Sequence, residues 1–189
     1  AENVEIKARV RSLDEIARRV TPLADSGPEE LVQDDTFFPA RSGRLKLRLF
    51  SDGRGELIGY HRADQSGPKV SRYEIVRVDD GAALRQLLSE TLGTIGRVQK
   101  RRLLFLVGRT RVHLDEVEGL GEFVELEVVL QPGEDQDEAK IEAEGLMLQL
   151  GIEPRELVQQ AYVDLQKTLA NTKVGKSAVA KLGAFGGTR

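Results

Sequence analysis

The chain has 189 residues, and its 28 Lys and Arg against 31 Asp and Glu give a formal net charge of −3. This balance indicates no general attraction to nucleic acid or to anionic membranes. Cys is absent, which excludes disulfides, thiolate metal sites and a Cys nucleophile, and the presence of two His argues against a multi-His zinc site. No apolar run is long enough to cross a bilayer, and the N-terminal sequence AENVEIKARV lacks the apolar core of a secretory signal. We therefore expect a cytoplasmic protein that binds neither nucleic acid nor membrane.

The first half of the chain predicts a series of strands interrupted by two helices. Residues 3–10 alternate apolar and charged side chains, which is typical of a strand. Residues 12–20 carry a capping box and a helical apolar stripe, and residues 79–93 form a second amphipathic segment that ends at a Gly. Strands are predicted between these two helices over residues 31–38, 41–50, 55–62 and 70–78.

The second half predicts three more strands followed by two helices. The strands cover residues 95–108, 110–117 and 119–130, and the helices cover residues 134–151 and 153–169. The C-terminal residues beyond them are small and basic. We therefore expect one domain over residues 1–168, which includes the C-terminal helices, and a flexible tail over residues 169–189. About eight short strands with helices outside the strand runs predict an α+β fold built on an antiparallel barrel or sandwich.

Charged residues recur in pairs two positions apart within the predicted strands. The pairs are Glu5 and Lys7, Lys46 and Arg48, Lys100 and Arg102, Arg109 and Arg111, and Glu125 and Glu127. Residues two apart point to the same face of a strand, so each of these strands has one charged and one apolar face. A solvated outer face is the ordinary explanation of such a pattern. The alternative, which repetition over five strands favours, is a closed barrel whose charged faces line the interior and whose apolar faces lie under the helices.

A charged interior of this kind would have a specific chemistry. Basic pairs lie on the middle strands, and acidic residues lie on the first and last strands, which are neighbours in a closed barrel. Arg and Lys match the oxygens of a polyphosphate, and carboxylates hold Mg²⁺ or Mn²⁺, which also bridge phosphate oxygens. Together they stabilise the charge that develops during phosphoryl transfer. The interior is therefore a candidate site for a metal-bound polyphosphate.

The order of the strand segments resembles a known family. Residues 3–10, NVEIKARV, resemble the E-x-E-x-K signature of the CYTH family, the triphosphate tunnel metalloenzymes. QDDTFF, GRLKLRLF, LIGYHR, VQKRR, TRVHLDEVEGLGEFVELEVVL and AYVDL follow in the order of that family, and the pattern is most similar to its class IV adenylyl cyclase branch. The resemblance implies an eight-stranded antiparallel β-barrel, the triphosphate tunnel, with helices packed outside. It also implies an enzyme that acts on a small triphosphate molecule with Mg²⁺ or Mn²⁺ as cofactor.

The resemblance further implies roles for individual residues. Lys7 and Asp115 are expected to be catalytic, and Glu5, Glu125 and Glu127 are expected to bind the metal. The phosphate-binding positions of the family correspond to six basic residues, namely Lys46, Arg48, Arg62, Lys100, Arg102 and Arg111.

Two positions depart from the family pattern. Asn3 stands where the signature has its first Glu, so one carboxylate on the metal side is absent. Glu2 does not replace it, because it is one residue out of phase and is expected to face the other side of the strand. Phe37 stands where the thiamine triphosphatases of the family have a Tyr in a D-T-Y stretch, which argues against thiamine triphosphate as the substrate.

Three other residues are interpreted as lying outside the chemistry. His113 shares the phase of Arg111 and Asp115, but neutral imidazole is a poor triphosphate ligand, so a structural role is expected. Tyr162 lies in a helical pattern, which predicts helix packing. Arg109 follows Gly108, which can shift the phase of the strand, so Arg109 is left out of the predicted site.

Three functions remain open from the sequence. A metal-dependent phosphohydrolase acting on inorganic triphosphate or a nucleoside triphosphate is the simplest, because water is always available as the nucleophile. A class IV adenylyl cyclase that converts ATP to cyclic AMP and pyrophosphate is the alternative, and it requires a purine pocket that the sequence does not locate. A non-enzymatic polyphosphate- or nucleotide-binding module is the third, which Asn3 makes conceivable. The oligomeric state, monomer or dimer, also stays open.

Overall fold

The sheet and the helices follow the predicted order along the chain. The computed structural model describes the backbone of residues 1–183 and the side chains of residues 1–172. Its strands are β1 (Glu2–Arg9), β2 (Ser26–Phe38), β3 (Arg44–Leu49), β4 (Gly55–Arg62), β5 (Lys69–Val78), β6 (Gly96–Val107), β7 (Thr110–Val117) and β8 (Gly121–Leu130). Its α-helices are α1 (Leu13–Val20), α2 (Gly81–Leu92), α3 (Gln136–Gln149) and α4 (Tyr162–Gly183).

The eight strands close into a ring in the order β1-β5-β4-β3-β2-β6-β7-β8, and every neighbouring pair is antiparallel. β1 completes the ring because it pairs with β5 on one side and with β8 on the other. The register between β1 and β8 places Glu5 opposite Glu127 and Lys7 opposite Glu125. The predicted eight-stranded antiparallel arrangement with helices outside is therefore confirmed.

The main hydrophobic core lies outside this ring. It consists of the outward faces of β1, β7 and β8 together with the inner faces of α1 and α3, and it includes Val4, Ile6, Ile16, Val112, Val124, Leu126, Ala143 and Met147. Burying one such aliphatic side chain stabilises a fold by about 1.5–3 kcal/mol, so the helices are held firmly on this side of the sheet. Because the apolar faces of β1, β7 and β8 are used on the outside, the inner faces of these strands are left to the charged residues.

Polar side chains at the helix N-termini set where the outer helices begin. Ser12 Oγ accepts a hydrogen bond from the backbone N–H of Glu15 at 3.3 Å, which is one half of the predicted capping box, while the Glu15 carboxylate pairs with Arg19. Asp80 and Asp135 accept equivalent bonds at the starts of α2 and α3. Each such cap contributes about 1 kcal/mol to helix stability. The helices that cover β1 and β8 are thus positioned locally as well as by packing.

The connection between α3 and α4 differs from the helix predicted over residues 153–169. Only Pro154–Glu156 form a helical turn, of the 3-10 type, and α4 begins at Tyr162. Leu157 pairs with Ala8 of β1, and the backbone N–H of Val158 donates to the carbonyl of Lys7 at 2.8 Å. The predicted helix is wrong over residues 157–161 because the backbone here bonds to β1 instead of to itself.

Other boundaries differ less. β2 begins at Ser26, earlier than predicted, because its first residues pair with the end of β6. The predicted domain boundary between residues 168 and 169 falls within α4, and residues 184–189 of the predicted tail lie outside the described residues. The flexibility of the tail stays a prediction. Over residues 1–183, none of the helices combines the length and the apolar composition that crossing a bilayer requires.

Candidate active site inside the ring

A cavity of about 340 Å³ runs inside the ring and is lined by side chains from all eight strands. Its basic lining residues are Lys7, Lys46, Arg48, Arg62, Lys100, Arg102 and Arg111. Its acidic lining residues are Glu5, Asp35, Glu56, Glu125 and Glu127. Every site residue predicted from the sequence lines this cavity except Asp115, which is fully buried behind its wall.

One wall of the cavity holds two basic residues around a buried Asp. Asp35 on β2 lies opposite Arg48 on β3, and its carboxylate accepts hydrogen bonds from Arg48 Nε and Lys46 Nζ, both at 2.8 Å. Burial opposes ionisation of Asp35, but the charges of Arg48 and Lys46 outweigh it and hold the pKa of Asp35 well below its usual range. Asp35 is therefore an anion that fixes the positions of two cations.

A second buried Asp organises the adjacent wall in the same way. Arg102 donates to both oxygens of Asp115 at 2.6 Å, and Tyr162 Oη donates to Asp115 Oδ2 at 2.9 Å. Lys100 Nζ lies 3.5 Å from the same carboxylate. Burial together with the neighbouring Arg102 lowers the pKa of Lys100 to about 7. Asp115 has no free oxygen on the cavity side, so its direct effect is to orient Arg102.

The carboxylates expected to bind metal lie on β1 and β8. Glu125 pairs with Lys7 at 2.9 Å and with Arg102 at 2.7 Å, and Glu127 pairs with Arg111 at 2.9 Å. Glu5 lies directly opposite Glu127 in the sheet, but its own carboxylate pairs with Arg62 at 2.6 Å. Burial raises the pKa of Glu125, but the charges of Lys7 and Arg102 lower it by more. The pKa of Glu125 therefore lies well below its usual range. Glu125 is thus ionised at neutral pH, and its two oxygens are shared between Lys7 and Arg102.

His113 joins these acids instead of packing in the core. Its Nδ1 lies 3.7 Å from Glu127 Oε1 and 4.0 Å from Glu125 Oε2, and one ligand atom of each of the three residues lies within 4.8 Å of the other two. Burial and the charge of Arg102 lower the pKa of His113 to about 3, so its imidazole is neutral. His113 thus faces inward, as its shared phase with Arg111 and Asp115 allows, and its structural role stays a prediction.

The chemistry of this group fits a divalent cation. His113 Nδ1 and Asn3 Oδ1 are both buried and have no hydrogen-bond partner in the protein, although buried polar atoms are normally paired. Two carboxylates, an imidazole nitrogen and an amide oxygen are all ligand types that Mn²⁺ accepts, and Mg²⁺ accepts the oxygens. The residues present therefore suit the cofactor that the sequence predicts.

One end of the cavity is covered by the segment of residues 157–161 and by Tyr162. Lys69 Nζ donates to the carbonyls of Val158 and Gln159, at 3.3 and 3.4 Å, and also to Gln65 in the loop before β5. Lys7 Nζ lies 3.8 Å from the centroid of the Tyr162 ring. Buried cations of β1 and β5 therefore hold the covering segment in place.

The opposite end of the cavity is lined by apolar side chains. The strand directions bring Leu31, Phe50, Ile75 and Leu104 to this end, where Ile75 is 43% exposed. Of the two tyrosines of the inner face, Tyr73 accepts a hydrogen bond from Arg111, whereas Tyr60 packs with Phe37 and Tyr162 at the covered end. The cavity therefore has a charged middle, a covered end and an apolar mouth.

Three residues near the site in sequence lie outside the cavity. Glu2 faces outward and pairs with Arg72 at 2.9 Å, as its phase predicts. Arg109 also faces outward and bonds to Glu142 and Glu134. His61 is exposed on the outer face of β4.

Sequence reasoning missed three residues that shape the site. The inward direction of Asp35 could have been predicted from the strand pattern, because it lies two residues before Phe37. In the structure it is directly opposite Arg48. Lys69 has the inward phase of Ser71 and Tyr73, but it precedes the strand predicted over residues 70–78. Tyr162 packs against Phe123, and its bond to Asp115 could not be foreseen because it joins residues far apart in the chain.

A closed antiparallel ring whose inside is charged and whose hydrophobic core is outside defines a class of tunnel proteins that bind their ligand within the sheet. The family model of the CYTH domain matches residues 1–162, and the chain belongs to the CYTH family.

Relatives of known name and structure are similar over most of the chain. Adenylate cyclase CyaB of Aeromonas hydrophila is 25% identical over 167 residues, which are 84% of this chain and 85% of that protein. The PH1012 protein of Pyrococcus horikoshii OT3 has a TM-score of 0.76 at 22% identity, covering 86% of this chain and 98% of that one. HpAC1 of Hippeastrum, which has a dominant triphosphatase activity, has a TM-score of 0.56 at 16% identity, with 84% and 91% covered.

Proposed function

We propose that this protein is a divalent-metal-dependent phosphohydrolase whose substrate is inorganic triphosphate or a nucleoside triphosphate. The observation that carries the proposal is the charge of the cavity, where seven Lys and Arg face five Asp and Glu, and Asp115 behind the wall adds a sixth carboxylate. Leaving buried charge uncompensated is costly, so an excess of cations inside a closed sheet favours an anionic ligand. A triphosphate supplies several negative charges in a row, and Arg and Lys match its oxygens.

The basic residues are positioned before the substrate binds. Lys46 and Arg48 are held by Asp35, and Lys100 and Arg102 are held by Asp115. Donors that are already oriented stabilise developing charge without reorganising during the reaction. We therefore propose Asp115 as a positioning residue that acts through Arg102, and not as a group that contacts substrate.

Glu125, Glu127 and their neighbours are the proposed metal-binding residues. A divalent cation bound there would polarise phosphate oxygens as a Lewis acid. Lys7 bonds to Glu125 and lies next to the covered end of the cavity. Its ammonium group is placed to stabilise negative charge on the transferred phosphoryl group, which is the catalytic role we propose for it.

A class IV adenylyl cyclase is the second candidate, and two observations favour it. CyaB of Aeromonas hydrophila is an adenylate cyclase, and the apolar mouth offers a surface on which a purine can lie. Cyclisation would require the ribose 3′-hydroxyl to be held in line with the α-phosphate. The dominant triphosphatase activity of HpAC1 supports hydrolysis as the first candidate.

Product analysis separates the candidates. Purified protein is incubated with ATP or with tripolyphosphate, each with Mg²⁺ or Mn²⁺, and the products are identified. Orthophosphate supports the hydrolase, cyclic AMP with pyrophosphate supports the cyclase, and binding without turnover contradicts both.

The same assay tests the metal-binding residues. Glu125→Gln and Glu127→Gln should each lower turnover by about two orders of magnitude or more, because metal polarisation contributes several kcal/mol. Glu116→Gln is the matched control, since Glu116 lies on the outer face of β7 and is 60% exposed. Unchanged turnover in both cavity variants would contradict the metal assignment.

A further inference from the structure

The position of His113 points to the kind of metal that this site selects. We propose that His113 Nδ1 is a direct ligand of the divalent cation, and that the resulting nitrogen–oxygen site prefers Mn²⁺ and other transition-metal ions to Mg²⁺. The inference rests on the metal dependence proposed above and adds a ligand and a selectivity to it.

The sheet register brings the three ligands together. His113 on β7 lies directly opposite Glu125 on β8, and Glu127 is the next inward residue along β8. The separations from His113 Nδ1, 3.7 and 4.0 Å, are close to those between ligands of one ion. With metal–ligand distances near 2.1 Å, adjacent ligands lie about 3 Å apart, so shifts of about 1 Å or less would bring each of these two carboxylate oxygens to that distance from His113 Nδ1.

Within the part of the chain that the structure describes, two of the atoms that face one another here lack another partner, whereas Glu125 Oε2 also accepts a hydrogen bond from Arg102 at 2.7 Å. His113 is only 4% exposed, and its Nδ1 has no hydrogen-bond partner. Glu127 Oε2 pairs with Arg111, whereas Oε1 has no Lys or Arg partner among the described residues and faces the imidazole. A direct hydrogen bond from Nδ1 to Oε1 is excluded at 3.7 Å. An ion between them satisfies both atoms at once.

The ligand types determine the selectivity. Imidazole nitrogen binds transition ions well, whereas Mg²⁺ prefers oxygen ligands and keeps much of its water. Asn3 offers the cavity an amide oxygen without a charge, and affinity for a hard cation falls as the number of anionic ligands decreases. A site with two carboxylates and a nitrogen ligand therefore favours Mn²⁺ over Mg²⁺.

Pulsed electron paramagnetic resonance tests the ligand directly. Mn²⁺ is added to the full chain at less than one equivalent, and the spectrum is examined for coupling to a ¹⁴N nucleus of a bound imidazole. In protein labelled with ¹⁵N-His, the ¹⁴N coupling should be replaced by the coupling pattern of ¹⁵N. This comparison identifies the imidazole without any mutation. The chain has two His, so His61→Gln is the matched control that should keep the coupling and His113→Gln the variant that should lose it.

Calorimetric titration tests the selectivity. His113→Gln should weaken Mn²⁺ binding about tenfold and change Mg²⁺ binding by less than about twofold. An equal loss of affinity for Mn²⁺ and Mg²⁺ in His113→Gln would overturn the proposed selectivity.

The outcomes separate this inference from the proposed function. Bound Mn²⁺ without nitrogen coupling, or coupling that survives in His113→Gln, would overturn the ligand assignment and leave metal-dependent hydrolysis untouched. Absence of Mn²⁺ binding even with tripolyphosphate present would contradict both.

Discussion

Asp115 is the residue that compensates two buried cations of the tunnel wall, Arg102 and Lys100. It is fully buried, it binds Arg102 through both oxygens, and it accepts a further bond from Tyr162. Burial opposes its ionisation, but Arg102 and Lys100 lower the pKa of Asp115 to about 2. Its charge is therefore present throughout the neutral range, and the two cations rely on it.

Asp115→Asn should reduce the free energy of unfolding by about 3–5 kcal/mol, because it leaves Arg102 and Lys100 buried with less compensation. Urea denaturation of the wild type and the variant measures this difference. Glu116→Gln, on the exposed face of the same strand, should change stability by less than about 0.5 kcal/mol. Similar losses in the two variants would show that the buried pairing is not what stabilises this wall.

Asn3→Glu should tighten binding of Mn²⁺ to the empty protein by about tenfold, since an added carboxylate raises the anionic charge of the site. Asn3 is 3% exposed on the inner face of β1, two residues before Glu5, and its Oδ1 is unpartnered. Calorimetric titration of Mn²⁺ into both proteins measures the effect. Equal affinities would mean that position 3 does not reach the metal or that another residue supplies the charge.

At the scale of elements, the covering segment of residues 157–161 is joined to the sheet by backbone bonds to β1, by packing and by buried Lys side chains. Lys69 Nζ has carbonyl oxygens as its hydrogen-bond partners, and no carboxylate lies within 4 Å of it among the described residues. Burial, with a contribution from Arg62, lowers the pKa of Lys69 to about 8. Its charged form is thus less favourable in the folded protein than in the unfolded chain.

Lys69→Met should remove the contribution of Lys69 to the pH dependence of the free energy of unfolding. Between about pH 8 and pH 10.5 the unfolded chain binds a proton at Lys69 that the folded protein has largely released, so the wild type gains stability as pH rises. The unfolding free energy of the wild type minus that of Lys69→Met should therefore become more positive as pH rises over this window. Urea titrations at several pH values would measure this difference. A difference that stays constant with pH would argue against the lowered pKa.

The elements themselves were largely predictable, because their signals are local. Alternation and turn residues located all eight strands, and the shared phase of Lys46, Arg48, Lys100 and Arg102 predicted which face is inward. The segment 157–161 was predicted wrongly because its partner, β1, is distant in sequence. Bonds such as that between Tyr162 and Asp115 depend in the same way on the closed ring and carry no local signal.

At the scale of the whole molecule, the binding site exists only when the ring is complete. The cavity takes side chains from every strand, so the unfolded chain has no equivalent site. A ligand that binds only the folded state stabilises it by mass action. Binding of a triphosphate and folding of the entire sheet are therefore linked.

Tripolyphosphate at about 100 times its Kd should raise the free energy of unfolding by about 2.7 kcal/mol. The gain should shrink as sodium chloride is raised from about 0.1 to 1 M, because salt screens the attraction. Arg48→Met should lose most of the gain, whereas Arg109→Met should keep it, since Arg109 lies outside the ring. Thermal denaturation with and without tripolyphosphate measures the effect, and equal gains in the two variants would place the ligand elsewhere.

The pairing of the first strand with the last has a consequence for biosynthesis. β1 is complete at Arg9, but its partner β8 ends at Leu130. At translation rates of about 5–20 residues per second, the intervening chain takes on the order of ten seconds to be made. Throughout that interval the outward apolar residues of β1, such as Val4 and Ile6, have neither β8 nor α3 to cover them. The nascent chain therefore passes through a stage on the ribosome in which its N-terminal strand is open to association with other chains.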